Sequence, residues 1–398
     1  MKKILSLKYL TSACFLAVLL TMLACSWRPC YYIAYEQLQN LRSGEGISIS
    51  QIEEAYNDAI PWKTSYITFN GGFQRLMGLR HVNERYLLDN GHLTYVISET
   101  DVEPYARNIA AFRDALEEMG IPFGHVNTLF KIDPEDKQLP VGVEDYSNEN
   151  TDRFLKLLKE TGVTTLDLRQ KEKEQGLDHY SLYYVTDHHW KAETGFWAYI
   201  QVVQWLEQLD SSFSVDPVLT DPESYDYTVY EDIFCGSAAR RVGPLYAGVD
   251  DLTLITPKYD TGMELAVPAK DIYRQGSYEE TMLFYENLTW EDMMERSAYS
   301  VYTGSDHPLM TIKNHSGQQL LDVRSTPKKL LILKDSTALV LVPYLALSYD
   351  EICVIDLRYF QEDLLGYIRE YRPDMVLTMY NPGALDGGND VMFSFGIE

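Results

Sequence analysis

The chain has 398 residues and a formal net charge of −25, from 34 basic and 59 acidic side chains. Proteins hold a phosphate backbone with lysine and arginine, so this charge argues against nucleic acids and other anionic polymers as partners. Beyond a short N-terminal segment, about 365 residues remain, enough for one large α/β domain with a sizeable insertion.

Residues 1–30 have the pattern of a signal peptide or a membrane anchor. Three lysines precede an apolar run from Leu10 to Cys25, which is typical of an export signal. The run is somewhat shorter than the roughly 20 residues that cross a bilayer comfortably. Ala24 before Cys25 also fits lipoprotein processing with a lipid on Cys25. A lipoprotein, an uncleaved anchor and plain secretion stay open, and each places residues 31–398 outside the cytoplasmic membrane.

From residue 93 the hydrophobic pattern alternates between strands and helices. Apolar runs predict strands, and apolar residues at helical spacing predict helices. This pattern returns near the C-terminus, and such alternation indicates a mostly parallel sheet covered by helices. In chain order, the predicted elements are strand Leu93–Ser98, helix Tyr105–Met119, strand Pro122–Phe130, helix Thr151–Glu160, strand Val163–Leu168, helix Ala192–Leu209, strand Lys329–Leu333, a helix from Thr337, strand Ile352–Ile355, helix Gln361–Tyr371 and strand Met375–Met379.

Residues 212–327 differ in character from the rest of the chain. Short strand-like runs at Tyr225–Tyr230, Thr253–Thr256 and Leu309–Lys313 alternate with many turns. No Pro-, Gly- or Ser-rich tether flanks the region. The sequence therefore predicts a β-rich insertion in the α/β domain rather than a detached domain.

Asp187 and His189 lie just before the helix predicted at Ala192–Leu209. In an extended segment, residues two apart point to the same side, whereas on a helix they do not face each other. A carboxylate could therefore orient this imidazole if both lie in the loop before the helix. An aspartate at this place is also a common helix cap. By the same alternation His188 points the other way, so we expect it to be structural.

Ser336 follows the apolar run of the strand Lys329–Leu333 and opens a helical stretch. A strand-to-helix turn places its hydroxyl at the carboxyl edge of the sheet, where α/β folds place their sites. The Ser336 backbone N–H and the helix N-terminus can stabilise an oxyanion there. Together with Asp187 and His189, Ser336 supplies the nucleophile, the base and the orienting carboxylate of acyl transfer.

Three further side chains follow the ends of neighbouring strands. Asn381 comes after the strand Met375–Met379 and is either a donor to the oxyanion or a turn residue before a proline. Arg358 and Tyr359 follow the strand Ile352–Ile355 and either line the cleft or belong to a surface salt bridge.

Cys235 and Cys353 are the two cysteines beyond the N-terminal segment. Outside the cell they could form a disulfide, but two cysteines in a chain of this size are more often unpaired. The sequence has no cysteine pair or histidine motif with the spacing of a zinc site, so neither a metal nor a cofactor is predicted.

The segment Tyr183–Trp190, which reads YYVTDHHW, and the later Lys334-Asp335-Ser336 carry a family resemblance. With the surrounding residues from about 65 to 382, the chain resembles the DHHW family, which is similar to the SGNH-like acetyltransferases of the alginate O-acetylation type. The resemblance implies an SGNH-hydrolase-like three-layer α/β sandwich, with Ser336 as nucleophile, His189 as base and Asp187 as its orienting partner. Lys334 departs from the pattern, because a glycine commonly precedes Asp-Ser in SGNH enzymes.

The expected function is an extracytoplasmic O-acetyltransferase that acts on a cell-surface or exported polysaccharide. By the same resemblance the acetyl donor is a multi-pass membrane O-acyltransferase, since acetyl-CoA is not available outside the cell. Two alternatives stay open. A carbohydrate acetylesterase would use the same three residues to give the acetyl group to water, and a non-catalytic glycan-binding assembly factor would use the many aromatic residues.

Overall fold

The computed structural model describes residues 2–43, 49–58, 60–316 and 327–397. They fall into two compact units, Met1–Asn70 and Gly71–Glu398. Residues 317–326 of the predicted insertion lie outside the described residues.

The described chain contains helices throughout and strands from residue 81 onward. The helices are α1 (Lys2–Ser43), α2 (Ile49–Asp58), α3 (Lys63–Leu76), α4 (Glu103–Glu118), α5 (Ser147–Glu160), α6 (Leu168–Gln175), α7 (Ala192–Leu209), α8 (Ser237–Val242), α9 (Pro244–Ala247), α10 (Tyr278–Met282), α11 (Val342–Ser348) and α12 (Leu364–Tyr371). The strands are β1 (His81–Val82), β2 (Arg85–Leu87), β3 (Leu93–Thr94), β4 (Phe123–Asn127), β5 (Thr165–Asp167), β6 (Tyr225–Phe234), β7 (Asp250–Pro257), β8 (Met263–Val267), β9 (Ile272–Gly276), β10 (Leu309–Asn314), β11 (Lys329–Lys334), β12 (Glu351–Ile355) and β13 (Met375–Tyr380).

An eight-stranded sheet forms the centre of the second unit, in the order β5-β4-β13-β11-β12-β10-β8-β9. The five strands from β5 to β12 are parallel, and β10, β8 and β9 continue the sheet antiparallel. This confirms the predicted mostly parallel sheet. The strand β11 reads Lys-Leu-Leu-Ile-Leu-Lys and is largely buried, as expected for a central parallel strand with both faces covered.

Two hydrophobic cores lie on the two faces of this sheet. Leu331 and Leu333 pack with α4, α5 and α12, whereas Leu330 and Ile332 pack with α7 and α11. The alternation follows from the period of two along a strand. Helices therefore cover both faces of one sheet, which is the three-layer α/β sandwich that the resemblance implies.

Residues 212–327, predicted as a β-rich insertion, add strands to this sheet and form a second, smaller sheet. Its strands β8, β9 and β10 form the antiparallel edge, while β6 and β7 pair with each other as a separate two-stranded sheet. The insertion thus extends the sheet that carries the candidate site.

Several predicted boundaries shift. The strand predicted at Leu93–Ser98 is limited to Leu93–Thr94. The helix predicted from Gln361 begins at Leu364, because the Asp363 side chain caps it by accepting a hydrogen bond from Gly366 N. Both Cys235 and Cys353 are buried free thiols, so the structure contains no disulfide between them.

In the N-terminal unit, one segment of α1 is long and apolar enough to cross a membrane. This segment is Tyr9–Trp27, and none of it is buried in protein. A signal sequence passes the same test, so the helix is compatible with a signal peptide or an anchor.

Candidate active site

Ser336 lies directly after β11, where the chain turns into a short 3-10 helix, Ser336–Val340. The Asp335 side chain caps this helix by accepting a hydrogen bond from Thr337 N at 2.8 Å. It also accepts from the backbone N and the side-chain Nδ2 of Asn381, at 2.6 and 2.7 Å. The buried Asp335 thus joins the ends of β11 and β13 and fixes the turn that presents the Ser336 hydroxyl.

The structure brings Ser336, His189 and Asp187 together. His189 Nε2 lies 2.8 Å from Ser336 Oγ, and His189 Nδ1 lies 3.1 Å from Asp187 Oδ2. An ionised carboxylate only accepts hydrogen bonds, so Nδ1 carries the proton and Nε2 is free to accept from the serine hydroxyl. This is the hydrogen-bond order of nucleophile, base and orienting acid in serine acyl transfer.

A close contact between α7 and the helix Ser336–Val340 brings His189 next to Ser336. Gly195, in the first turn of α7, approaches the helix after Ser336 so closely that a Cβ there would lie 2.4 Å from Val340 Cγ2. As predicted, Asp187 and His189 occupy the loop just before α7. Packing α7 against the Ser336–Val340 helix therefore carries the imidazole to the serine.

Asp187 is almost fully buried, and several donors hold its carboxylate. Oδ1 accepts from His188 N at 2.7 Å and from Ser237 Oγ at 2.6 Å, while Oδ2 faces His189. Burial alone would raise the pKa of Asp187, but its electrostatic interactions and hydrogen bonds with His189 and His188 outweigh it, so the pKa lies well below its ordinary value. The carboxylate is therefore ionised at neutral pH and oriented from two sides.

His188 does not point away from the site, so that prediction was wrong. Its Nδ1 lies 3.0 Å from Asp187 Oδ1 and 2.8 Å from Ser237 Oγ, and its ring centre is 3.9 Å from that of His189. The loop bends at these residues, so the alternation of an extended strand does not apply. Burial and the neighbouring His189 lower the pKa of His188 to about 4, so its ring is neutral at pH 7.

Lys131 and Asp250, which the sequence did not single out as site residues, hold the backbone of this loop. The buried Lys131 Nζ lies within hydrogen-bond distance of four backbone carbonyls, those of Leu93, Tyr184, Val185 and Asp187, at 2.8, 2.6, 3.1 and 2.5 Å, and shares its N–H groups among them. From the other side, the Asp250 carboxylate accepts from the backbone N–H groups of Val185 and Thr186, at 2.9 and 2.8 Å. Burial lowers the pKa of Lys131 to about 7, against the attraction of Asp250 and Asp187. We call this pair the loop clamp.

Two aromatic side chains pack around the imidazole and the serine turn. The Tyr299 ring, which comes from the insertion, stacks on His189 with centroids 4.4 Å apart. Its hydroxyl and the indole N–H of Trp190 both donate to the Thr337 carbonyl, at 3.1 and 2.8 Å. The tryptophan of the DHHW segment therefore ties that segment to the residue after the serine.

Of the three predicted cleft residues, Asn381 and Arg358 have hydrogen-bonded polar groups. Asn381 Nδ2 donates to Asp335 and to Thr337 Oγ1, so as observed it braces the turn rather than pointing a free donor at Ser336. Arg358 donates to Asp356 and Asp306. Tyr359 is exposed, and the Arg358 guanidinium lies 5.5 Å from its ring centre.

Lys334 supplies the buried cation beside this turn. Its ammonium pairs with Asp306 and lies 3.8 Å from Asp356. Burial would raise the pKa of Asp306, but Lys334 and Arg358 outweigh it and lower that pKa. Lys334 is an ordinary strand residue here, and the structure needs no glycine at this position. Asp306 is therefore part of an ion network behind the serine.

The backbone N–H of Ser336 is a candidate oxyanion donor. Among the described residues, none accepts a hydrogen bond from it, whereas the next N–H, that of Thr337, is taken by Asp335. A donor at the start of a helical turn, next to the nucleophile, is the type of group that stabilises a tetrahedral intermediate.

The ligand atoms of Asp187, His188 and His189 lie within 4.8 Å of one another, close enough to hold a metal ion. The hydrogen bonds of these side chains to each other, to Ser237 and to Ser336 already account for the cluster. A cation bound there would compete with the proton that orients His189, so the arrangement fits proton transfer.

Residues 87–217 match the sequence model of the family described as an SGNH hydrolase-like domain, acetyltransferase AlgX. The chain is similar to the SGNH hydrolase-like acetyltransferases. This segment includes Asp187 and His189 and ends at residue 217, just inside the predicted insertion, so it does not include Ser336. A search among curated protein sequences gives no match.

Solved structures share the architecture over most of the chain. PatB1 from Bacillus cereus is 25% identical, with a TM-score of 0.63, and the alignment covers 78% of this chain and 98% of PatB1. PatB1 with a sulfonyl adduct aligns with 23% identity and a TM-score of 0.61, over 78% and 99% of the two chains. A DHHW family protein from Eubacterium siraeum is 18% identical, with a TM-score of 0.56, over 79% and 96%. The fold of this acetyltransferase-like domain is thus an SGNH-like α/β sandwich.

Proposed function

We propose that this protein is an extracytoplasmic O-acetyltransferase that transfers acetyl groups to a polysaccharide through Ser336, His189 and Asp187. The observation that carries the proposal is His189, whose two ring nitrogens contact Ser336 Oγ and Asp187 Oδ2 at 2.8 and 3.1 Å. The match of residues 87–217 to an acetyltransferase domain supports the choice of the acetyl group.

In the first half-reaction, Ser336 Oγ attacks the carbonyl carbon of the donor's acetyl group, and its proton moves to His189 Nε2. The Ser336 backbone N–H donates to the oxyanion that forms. As the intermediate collapses, the bond to the donor's leaving oxygen breaks and His189 gives that oxygen the proton. An acetyl-serine and a neutral imidazole remain.

The second half-reaction reverses these steps with a sugar hydroxyl. His189 takes the proton of the hydroxyl, whose oxygen attacks the acetyl carbon, and Ser336 leaves with the proton. Asp187 stabilises the imidazolium in both halves without being protonated itself, which agrees with its depressed pKa.

The acceptor, the donor and the location rest on the resemblance and on the N-terminal segment. A polysaccharide acceptor fits the resemblance to alginate-type acetyltransferases. A multi-pass membrane O-acyltransferase as donor fits a chain with a candidate membrane segment at Tyr9–Trp27. That segment also supports a place outside the cytoplasmic membrane, whether as signal peptide, anchor or lipoprotein at Cys25.

The test uses the full chain in detergent with a small activated acetyl ester and a panel of oligosaccharides. We expect slow ester hydrolysis and a gain of acetyl mass on an oligosaccharide by mass spectrometry. Ser336→Ala and His189→Ala should each abolish both activities, because nucleophile and base act as a unit. Asp187→Asn should lower kcat by roughly 10³- to 10⁴-fold, as expected when the base loses its orienting carboxylate.

Ser305→Ala is the matched control, since Ser305 lies in a turn of the insertion. It should behave as wild type. Hydrolysis with no acetyl transfer to any glycan would favour the acetylesterase. Glycan binding without either activity, unchanged in Ser336→Ala, would contradict the enzyme and leave the assembly factor.

A further inference from the structure

The helix α3 exposes a continuous apolar face. Tyr66 and Phe69 in its first half, and Phe73 and Leu76 in its second half, recur at intervals of three and four residues, and all four are exposed. Phe69, Phe73 and Leu76 have 73%, 59% and 84% of their surface accessible. Trp62 precedes the helix and Met77 follows it, and both are exposed too. We call Tyr66, Phe69, Phe73 and Leu76 the α3 stripe. Such a stripe marks a face that binds another surface.

The second half of α3 is fixed to the body of the protein through its opposite face. A Cβ on Gly71 would lie 1.7 Å from Val242 O, so the helix approaches the end of α8 as closely as a glycine allows. Arg75 stacks on Tyr246 at 5.5 Å. At 100° per residue, Gly71 lies on the side of the helix away from Phe73, so this packing aims the stripe outward. Leu245, also exposed, contacts Gly72 and widens the apolar surface.

The charge around the stripe is opposite to that of the whole chain. Residues 60–83 contain no acidic residue, and neither do residues 237–248, which form α8 and α9. The basic side chains of residues 60–89 and 237–248 are Lys63, Arg75, Arg80, Arg85, Arg240 and Arg241. The acidic ones are Glu84 and Asp89, which pair with Arg241 and Arg80. In a chain of net charge −25, the segments that form α3 and pack against it therefore carry more basic than acidic side chains.

We propose that the α3 stripe is a membrane-binding face that lies in the interface of a bilayer with anionic headgroups. An amphipathic helix with aromatic and aliphatic residues on one face and Lys or Arg around it is the pattern of an interfacial helix. Acidic lipids attract the basic side chains, and tryptophan and tyrosine favour the headgroup level.

The candidate membrane span in α1 is close enough along the chain to bring α3 to the same bilayer. The candidate membrane span ends at Trp27, and Trp62 follows 35 residues later. A bilayer entered by α1 is therefore within reach of α3. Because the stripe lies outside the catalytic residues, this proposal does not depend on the proposed function.

The first test measures whether the stripe enters lipid. The full chain is reconstituted in phosphatidylcholine–phosphatidylglycerol vesicles whose acyl chains carry bromine, which quenches nearby tryptophan fluorescence. In a Trp27→Phe, Trp62→Phe background, Phe73→Trp adds a reporter on the stripe. Tyr273→Trp adds one on the edge strand β9, at a position of similar exposure, 62% against 59%.

The fluorescence of the background, which keeps Trp190, Trp197, Trp205 and Trp290, is subtracted. We expect bromine to reduce the remaining fluorescence of the Phe73→Trp reporter at least twofold and to leave that of the Tyr273→Trp reporter unchanged. Equal fluorescence with and without bromine at Phe73→Trp would overturn the proposal. It would mean that water, a second copy, a membrane protein or another segment of the chain meets the stripe instead.

The second test separates the stripe from the N-terminal tether. A protease site replaces residues 44–48, and the reconstituted chain is cut on the vesicles before flotation. The body should stay with anionic vesicles after cleavage, and Phe69→Ser/Phe73→Ser should reduce the retained fraction roughly tenfold or more. Tyr273→Ser should not change it. Complete release of the wild-type body on cleavage would contradict the proposal. Ester hydrolysis by both variants in detergent should equal that of the wild type, which reports proper folding and separates this proposal from the catalytic one.

Discussion

The carboxylate of Asp187 receives more contacts than a simple triad requires. His189, Ser237 and the backbone N–H of His188 all donate to it, and the His188 ring packs against it. Each donor removes one orientation that the carboxylate could otherwise adopt, so the ring of His189 faces Ser336 before substrate arrives. Preorganisation of this kind lowers the barrier because no reorientation is needed during the reaction.

His188→Gln should therefore impair catalysis, although it leaves Ser336, His189 and Asp187 in place. We expect kcat to fall about tenfold to a hundredfold with little change in KM, because the ring supports the carboxylate without carrying the proton. Steady-state hydrolysis of an acetyl ester measures both constants. His315→Gln is the control, since His315 is half-exposed and contacts Glu264 on another edge of the fold. A wild-type kcat in His188→Gln would show that Ser237 and the backbone suffice.

Among single residues, the sequence predicted that Asp187, His189 and Ser336 meet, and it missed the residues that hold them. The spacing of Asp187 and His189 is recognisable in the sequence, and so is the strand-to-helix turn at Ser336. Ser237 and Asp250 lie in the insertion, and Lys131 follows a different strand, so only the folded chain brings them to Asp187. The prediction for His188 failed because it assumed an extended loop, whereas the loop bends.

The loop that carries Asp187 is held as an element by the loop clamp, Lys131 and Asp250. Backbone carbonyls and N–H groups of one short segment face a buried ammonium on one side and a carboxylate on the other. Buried polar groups are stable only when they are paired. The backbone of this loop therefore needs both charged side chains as partners, and each charged side chain needs the loop.

Lys131→Met should destabilise the protein by at least about 3 kcal/mol, because it removes the donor that these backbone carbonyls share and leaves Asp250 without a nearby cation. Urea unfolding, followed by circular dichroism, measures the change. Lys171→Met is the matched control, because Lys171 forms only an exposed pair with Glu174, and its loss should cost less than about 1 kcal/mol. Equal stability of the two variants would mean that water can replace the ammonium.

The contact between α7 and the helix after Ser336 is the second element-scale constraint. The sequence predicted the bounds of α7 from its apolar spacing and predicted both strands that flank Ser336. It could not predict that α7 and Ser336–Val340 touch at Gly195, because a glycine in a helix gives no local signal of what it approaches.

Gly195→Ala should push these two segments apart, since its Cβ would lie 2.4 Å from Val340 Cγ2 and 3.0 Å from Val340 O. We expect a loss of about 1–3 kcal/mol in stability and at least a tenfold loss of ester hydrolysis, because the His189–Ser336 distance grows. Adding Val340→Ala should restore part of the activity by removing Cγ2. Gly262→Ala, whose nearest neighbour would be 3.7 Å away, should resemble the wild type. Full activity in Gly195→Ala would show that the helices adjust without moving the imidazole.

For the whole molecule, the alternation of strand-like and helix-like segments predicted the class of fold, and the sheet confirms it. The strand order could not be read from the sequence, because the insertion contributes three antiparallel strands to the same sheet. The net charge also follows directly from the sequence, but the distribution of charge over the protein surface does not. Basic side chains gather around the α3 stripe, so the remaining surface is even more acidic than the net charge of −25 implies.

The acidic surface predicts that KM differs in its salt dependence between anionic and neutral glycans. An oligosaccharide of uronic acids is repelled by the acidic surface, and salt screens that repulsion with a Debye length that shortens as ionic strength rises. Raising the salt concentration from about 0.02 to 0.3 M should therefore lower KM for a uronate oligosaccharide by about two- to tenfold. KM for a neutral oligosaccharide of the same length should stay constant, which controls for effects of salt on the enzyme itself. Acetyl transfer followed by mass spectrometry gives both constants. A KM for the uronate that rises with salt would mean that the cleft attracts anions despite the net charge, and an acidic polysaccharide would then become the favoured acceptor.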